Sequence, residues 1–199
     1  MGYRTVSALL LVFVVSAFPV FLYGEGDSPG RIVKDTVDQI LEVLDSPDLD
    51  EGQKRQSVYR LARRHIDFDN MAQRILAGEW GNATADQKIE FILLFEKVLM
   101  NDYWMRIRNY SGERIEYLAV SIEGDIYATV DTVIVRDGDH PEIPISYRME
   151  FRDGRWLAHD FLVESLSLVQ KYQRDYLAII KNRGIEGLLE HLRRQVTPS

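Results

Sequence analysis

The chain has 199 residues, 46% of them hydrophobic and 28% charged, with a formal net charge of −7 and no cysteine. A chain of this length fits one domain with a substantial core, and its acidic balance argues against a nucleic-acid binder or a permanent resident of anionic membrane surfaces. Without cysteine there is no disulfide, no thiolate metal site, no cysteine nucleophile and no cysteine to carry an acyl anchor.

The first segment reads as a leader. Arg4 precedes an apolar run from Val6 to Val15, and Ser16 to Gly24 leads into a polar stretch. This pattern predicts a secretory signal over residues 1–24 and hence an exported protein. The rival is an uncleaved anchor, because Val6 to Tyr23 is almost long enough to span a bilayer. Residues 25–199 then form a single domain.

Helices are expected over residues 29–110. Ser28 and Pro29 mark the first start, followed by the stripe Val33, Val37, Ile40, Leu41 and Leu44. Ser46-Pro47-Asp48 ends it. Glu51 to His65 reads as a second, more polar helix. Asp67 or Asp69 caps a short third helix ending near Gly78. Thr84-Ala85-Asp86-Gln87 is a capping box for the longest helix, which runs to about Arg108. Phe91, Leu94, Phe95, Val98, Leu99, Trp104 and Ile107 give that helix a broad apolar band, wide enough to face the core on one side and, toward the sheet, a cavity on the other.

Strands are expected over residues 114–163. Arg114 to Ser121 and Ile126 to Val135 are joined by Glu123-Gly124-Asp125, and Asp137-Gly138-Asp139 turns the chain into the third strand. The third strand alternates, with Ile143, Ile145, Tyr147, Met149 and Phe151 on one face. Asp153-Gly154 signals a tight hairpin into Trp156 to Val163. C-terminal helices occupy 165–194, the first ended by Gly184. Helices at both ends of a four-stranded antiparallel meander make an α+β fold with a helical layer packed on the sheet.

The chemistry-bearing residues are sparse. His65, His140, His159 and His191 show no i, i+3 or i, i+4 pair, so no helical metal site is expected. His159 and Asp160, adjacent on a strand, point to opposite faces. No G-x-S-x-G or phosphate loop occurs. The residues predicted to face one another are apolar: Phe91, Phe95, Val98, Met149, Phe151, Trp156, Leu166, Val169, Tyr172 and Tyr176. Any α+β core needs such a lining, so composition alone favours a filled core over a cavity.

Three blocks nevertheless carry a resemblance. One is Asp67-Phe68-Asp69-Asn70-Met71-Ala72 through Gly78, Trp80 and the cap at Thr84, followed by Phe91 to Leu99. Another is Trp156-Leu157-Ala158-His159-Asp160. The third is Val163 to Val169 through Tyr172 and Tyr176, closing with Arg183-Gly184-Ile185-Glu186-Gly187-Leu188. In order and spacing they resemble the MlaC, or toluene-tolerance auxiliary, family of periplasmic phospholipid-binding transport proteins. One departure is Ser165, where the family usually has glycine.

The resemblance implies a curved, cone-like sheet similar to the nuclear-transport-factor and cystatin folds, with a cavity for acyl chains between sheet and helices. It implies a phospholipid carrier between outer and inner membranes that maintains outer-membrane asymmetry. Its partners would be an outer-membrane lipoprotein complex and the lipid-binding subunit of an inner-membrane ABC transporter. The cargo is phospholipid and no cofactor is expected. Three alternatives stay open: a hopanoid-related lipid binder, a cavity enzyme of isomerase or dehydratase type using Asp131 and Tyr147, and an interaction module with a filled core and no ligand. A carrier suits the energetics, since hiding roughly 30 methylenes at about 0.8 kcal/mol each is worth more than about 20 kcal/mol.

Overall fold

Ser28 caps the first described helix, α1 (Pro29–Asp45). Its Oγ accepts the Arg31 N–H at 3.4 Å, and Pro29 occupies the first turn, where no N–H is required. The structure is a computed structural model and describes residues 28–110, 112–136, 138 and 140–197. The leader expected at 1–24 lies outside these residues, as do Asp137 and Asp139 of an expected turn.

Capping explains the other helix starts. Asp50 and Gln53 exchange side-chain-to-backbone hydrogen bonds of 2.8 and 3.0 Å at the head of α2 (Glu51–His65). Asp67, rather than Asp69, caps α3 (Phe68–Leu76), accepting the Asn70 N–H at 2.9 Å. A 3-10 turn follows at Ala77–Trp80. Thr84 and Gln87 form the expected box, at 3.1 and 3.2 Å, and open α4 (Ala85–Ile107).

The sheet is a sequential antiparallel meander of β1 (Arg114–Glu123), β2 (Tyr127–Val135), β3 (Ile143–Arg152), β4 (Arg155–Val163) and β5 (Leu166–Ser167). Four strands were expected and five are present. Glu164 and Ser165, both at positive φ, turn the chain tightly enough for Val163 to pair with Leu166 and Leu162 with Ser167. The C-terminal segment therefore opens with a short strand, not with helix at 165. Helix α5 (Leu168–Val196) follows, interrupted at Gly184, whose φ of 69° lies outside the helical region.

Two apolar clusters divide the interior. The larger joins α3, α4 and α5 through Phe68, Met71, Phe91, Phe95, Val98, Val169, Tyr172, Tyr176 and Leu188, among others, with Phe161 and Val163 of β4 packed against it. The smaller lies between α1 and one face of the sheet, around Val33, Ala128, Val130, Met149, Trp156 and Ala158. The expectation that α4 covers the sheet is thereby corrected. Its apolar band is spent on α3 and α5, and α1 is the helix laid over β1 and β2.

A bulge corrects a second expectation. Arg148 pairs with Asp160 and Met149 with Ala158, which leaves His159 as an extra residue in β4. The strict alternation of the strand is lost there. His159 turns toward Tyr127, with ring centroids 6.4 Å apart, on the face that carries Glu150, Arg148 and Asp160. Asp160 is buried on that face. It accepts the Val169 N–H at 3.1 Å and the Ser167 hydroxyl at 2.7 Å, and so ties the head of α5 to the sheet.

Candidate functional site

Among the described residues an apolar slot lies under α1. The slot, of about 140 Å³, separates α1 and the end of α2 from the sheet. Its walls are Ile32, Val33, Val37 and Ile40 of α1, Ala62, His65 and Ile66 from the end of α2, and Tyr147, Met149, Ala158 and Phe161 of the sheet. Local sequence accounts for each wall. The α1 stripe recurs at helical spacing, and Tyr147 and Met149 alternate along β3. The rings of Tyr147 and Phe161 meet edge-on at 5.7 Å.

Few polar groups interrupt this surface. Thr36, also in the wall, donates its hydroxyl back to the Ile32 carbonyl at 2.7 Å. Burial raises the Tyr147 phenol, keeping it neutral. Burial also lowers the pKa of His65, with the charges of Arg64 and Arg155 adding to the effect. One side of the slot is held shut by polar ties. The Tyr117 hydroxyl of β1 donates to Asp38 of α1 at 3.1 Å, and the Lys34 ammonium sits 5.3 Å from the Tyr117 ring centroid.

The ten residues predicted to line a cavity do not share one. Met149 alone is in the slot wall. Phe151 and Trp156, with rings 5.4 Å apart, belong to the same sheet-side cluster beyond the slot. Phe91, Phe95, Val98, Val169, Tyr172 and Tyr176 fill the helical cluster instead. Phe91 stacks on Phe95 at 6.0 Å, and the Tyr172 ring meets Phe95 edge-on at 5.3 Å. The Tyr172 hydroxyl donates to Asp102 at 2.9 Å, and burial followed by that carboxylate's charge drives its pKa upward. Leu166 is 70% exposed on β5, because the tight turn before it swings its side chain outward.

The α1 residues and His65, Ile66 and Phe161 were not foreseen as lining. The signal for the first group was present in the stripe Val33, Val37 and Ile40, which needed a partner surface. The acid–base pair considered for an enzyme is split by the sheet. Tyr147 faces the slot, whereas Asp131 on the opposite face accepts the Ser146 hydroxyl at 2.6 Å. Among the described residues no group of three or more histidines and carboxylates could hold a metal ion. No helix among them is long and apolar enough to cross a membrane.

Fold and slot together define an α+β binding protein whose interior offers hydrocarbon contacts on one side of an open meander. Comparison with known proteins narrows the class. The sequence model described as MlaC protein matches residues 34–194. The chain is 19% identical, over 197 residues, to the intermembrane phospholipid transport system binding protein MlaC of Haemophilus influenzae; the alignment covers 94% of this chain and 92% of that protein. Its fold matches that of the phospholipid-binding protein from Ralstonia solanacearum, solved in complex with a phospholipid. The TM-score is 0.72 at 23% identity, covering 83% of this chain and 94% of the other. The chain belongs to the MlaC family.

Proposed function

We propose that this protein is a periplasmic phospholipid carrier that holds acyl chains between α1 and the sheet and moves lipid between the outer and inner membranes. The observation that carries the reading is the slot itself, a hydrocarbon- and aromatic-walled space between two layers. The names of the two relatives, one a phospholipid-transport binding protein and the other solved with a phospholipid, support it.

The slot is smaller than its proposed cargo. Pockets that enclose drug-sized ligands run to about 300–1,000 Å³, and a two-chain lipid needs the upper part of that range. At about 140 Å³ the slot is a closed form. Loading then requires α1 to part from the sheet, breaking the Tyr117–Asp38 hydrogen bond and exposing Val33 and Met149 to the incoming chains. Burial of the chains, at about 0.8 kcal/mol per methylene, supplies far more free energy than that one half-buried hydrogen bond, worth about 1 kcal/mol.

The partners in this reading are an outer-membrane lipoprotein complex and the lipid-binding subunit of an inner-membrane ABC transporter. They follow from family membership and from the leader, not from any surface described above. The test is solvent extraction of purified protein followed by mass spectrometry. About one phospholipid per chain is expected. A folded, lipid-free product that takes up no phospholipid from vesicles overturns the reading.

A further inference from the structure

Arginines without carboxylate partners gather where the slot meets α2. Lys54, Arg55, Arg60, Arg63 and Arg64 fall within the fifteen residues of α2 against a single acid, Glu51, in a chain of net charge −7. Elsewhere the arginines are largely paired. Arg148 meets Asp160 at 3.5 Å, Arg152 meets Asp67 at 3.1 Å, and Arg193 meets Glu90 at 2.7 Å. On α2 itself Arg63 meets the buried Glu96 at 2.6 Å, which also accepts the Tyr59 hydroxyl. Arg60 reaches only the Ser57 hydroxyl, at 3.1 Å. Arg64 and Arg155 have no hydrogen bond or ion pair among the described residues.

Position ties these cations to the slot. Arg60, Arg63 and Arg64 line an open depression of about 480 Å³ together with Ile66. Ile66 lines the slot as well. His65, next to Arg64 in the chain, stands in the slot wall. Arg155 approaches from the sheet. Ile66 bridges Ala158 in parallel, and the end of α2 packs against β4, the strand that Arg155 opens. Both Arg64 and Arg155 act electrostatically on His65. Favourable placement of cations at a helix C-terminus accounts for Arg63 and Arg64 in the last turn of α2. It does not account for Arg60, a turn earlier, or for Arg155 on a strand. Glu42 borders the groove that Arg60 and Arg64 share with α1, yet pairs with neither.

We propose that Arg64, flanked by Arg60 and Arg155, seats the phosphate of a phospholipid whose acyl chains lie in the opened slot. This rests on the carrier reading above. Guanidinium groups offer forked donors that match phosphate oxygens; Arg60 spends one of its donors on Ser57, and Arg64 and Arg155 spend none on a protein acceptor among the described residues. Apolar chains pass one side of Ile66 and the phosphate rests on the other, at the water boundary.

The experiment offers lipid-stripped protein two ligands with the same chains, dioleoyl phosphatidylglycerol and dioleoylglycerol, and reads the uptake of each. Wild type is expected to favour the phosphate-bearing lipid by about tenfold in apparent affinity, less so at high salt. The R60Q/R64Q/R155Q variant should bring that ratio to about one while dioleoylglycerol uptake stays unchanged. If the triple variant does not fold, Arg64→Glu alone should lower the same ratio. A preference that survives the substitutions, or that wild type never shows, overturns the phosphate seat. The first of these outcomes, joined to lost lipid exchange with membranes, would assign the arginines to a protein partner instead. Wild type taking up neither ligand removes the carrier reading itself, and this inference with it.

Discussion

Glu164 and Ser165 sit at φ angles of 51° and 66°, in the left-handed region that costs an L-residue about 1 kcal/mol or more and glycine almost nothing. Together they make the two-residue turn that creates β5. Ser165 therefore carries strain that a glycine at the same position would avoid. Ser165→Gly is expected to raise stability by about 0.5–1 kcal/mol, read as a higher urea midpoint at unchanged slope. Gly154, at φ 79° in the β3–β4 turn, provides the opposite case, and Gly154→Ala should cost about 1 kcal/mol. The histidines give a pH signature of definite sign. Burial lowers the pKa of both His65 and His159 from 6.5, and the His159 Nδ1 is buried without a hydrogen-bond partner. Below 6.5 the unfolded chain therefore takes up protons that the folded protein refuses. Stability is full above that pH and falls as the pH drops toward the folded values, by at most about 1.4 kcal/mol per pH unit for each histidine. His159→Gln should flatten the fall, measured as denaturant stability across pH 7 to about 5.

At the scale of elements, what could be read ahead of the structure depended on whether the signal was local. The caps at Ser28 and Thr84, the Asp153-Gly154 hairpin and the break at Gly184 each depend on neighbouring residues, and each stands where the residue types placed it. The β5 hairpin was missed because Glu-Ser carries none of the glycine or asparagine that normally announces such a turn. The His159 bulge was missed because a bulge is a property of two strands in register, invisible in one. The α4 error had a similar origin. A helix apolar on several sides shows that it is buried but not against what, and the narrower stripe of α1 pointed more clearly to the sheet. In the proposed carrier α1 is the part that moves, and a crosslink can test it. A β-carbon built on Gly30 falls 2.8 Å from Val120 Cγ2. This is close to the separation a disulfide sets between the β-carbon of one cysteine and the sulphur of the other. The chain has no other cysteine, so Gly30→Cys with Val120→Cys should form a single defined bridge between α1 and β1. Oxidised, the variant should neither load nor release phospholipid; dithiothreitol should restore both. Unimpeded exchange in the oxidised form would mean that lipid enters without α1 parting from the sheet.

Across the whole molecule the two clusters divide the labour. The helical cluster of α3, α4 and α5 is packed with interlocking aromatic rings and none of its buried residues lines the slot, which it meets only through Ile66 and Phe161, whereas the layer under α1 is thin and partly empty. Six of the ten residues first assigned to cargo stand in the former, since aromatic richness marks a core as readily as it marks a cavity. The division predicts that stability and cargo binding separate by mutation. Phe95, buried between Phe91, Tyr172 and Tyr176, should cost about 3–5 kcal/mol as Phe95→Ala, with the lipid content of the folded fraction unchanged. Ala62, at the slot wall, should behave the other way. Ala62→Phe directs a ring into a space of about 140 Å³, so thermal stability should change little. Phospholipid uptake should weaken by about tenfold or more, because acyl chains then compete with a covalently attached occupant. The pair is read by thermal melting alongside mass spectrometry of extracted lipid. Loss of lipid from Phe95→Ala that exceeds its loss of folded protein would move the cargo back into the helical cluster, and with it the six residues there.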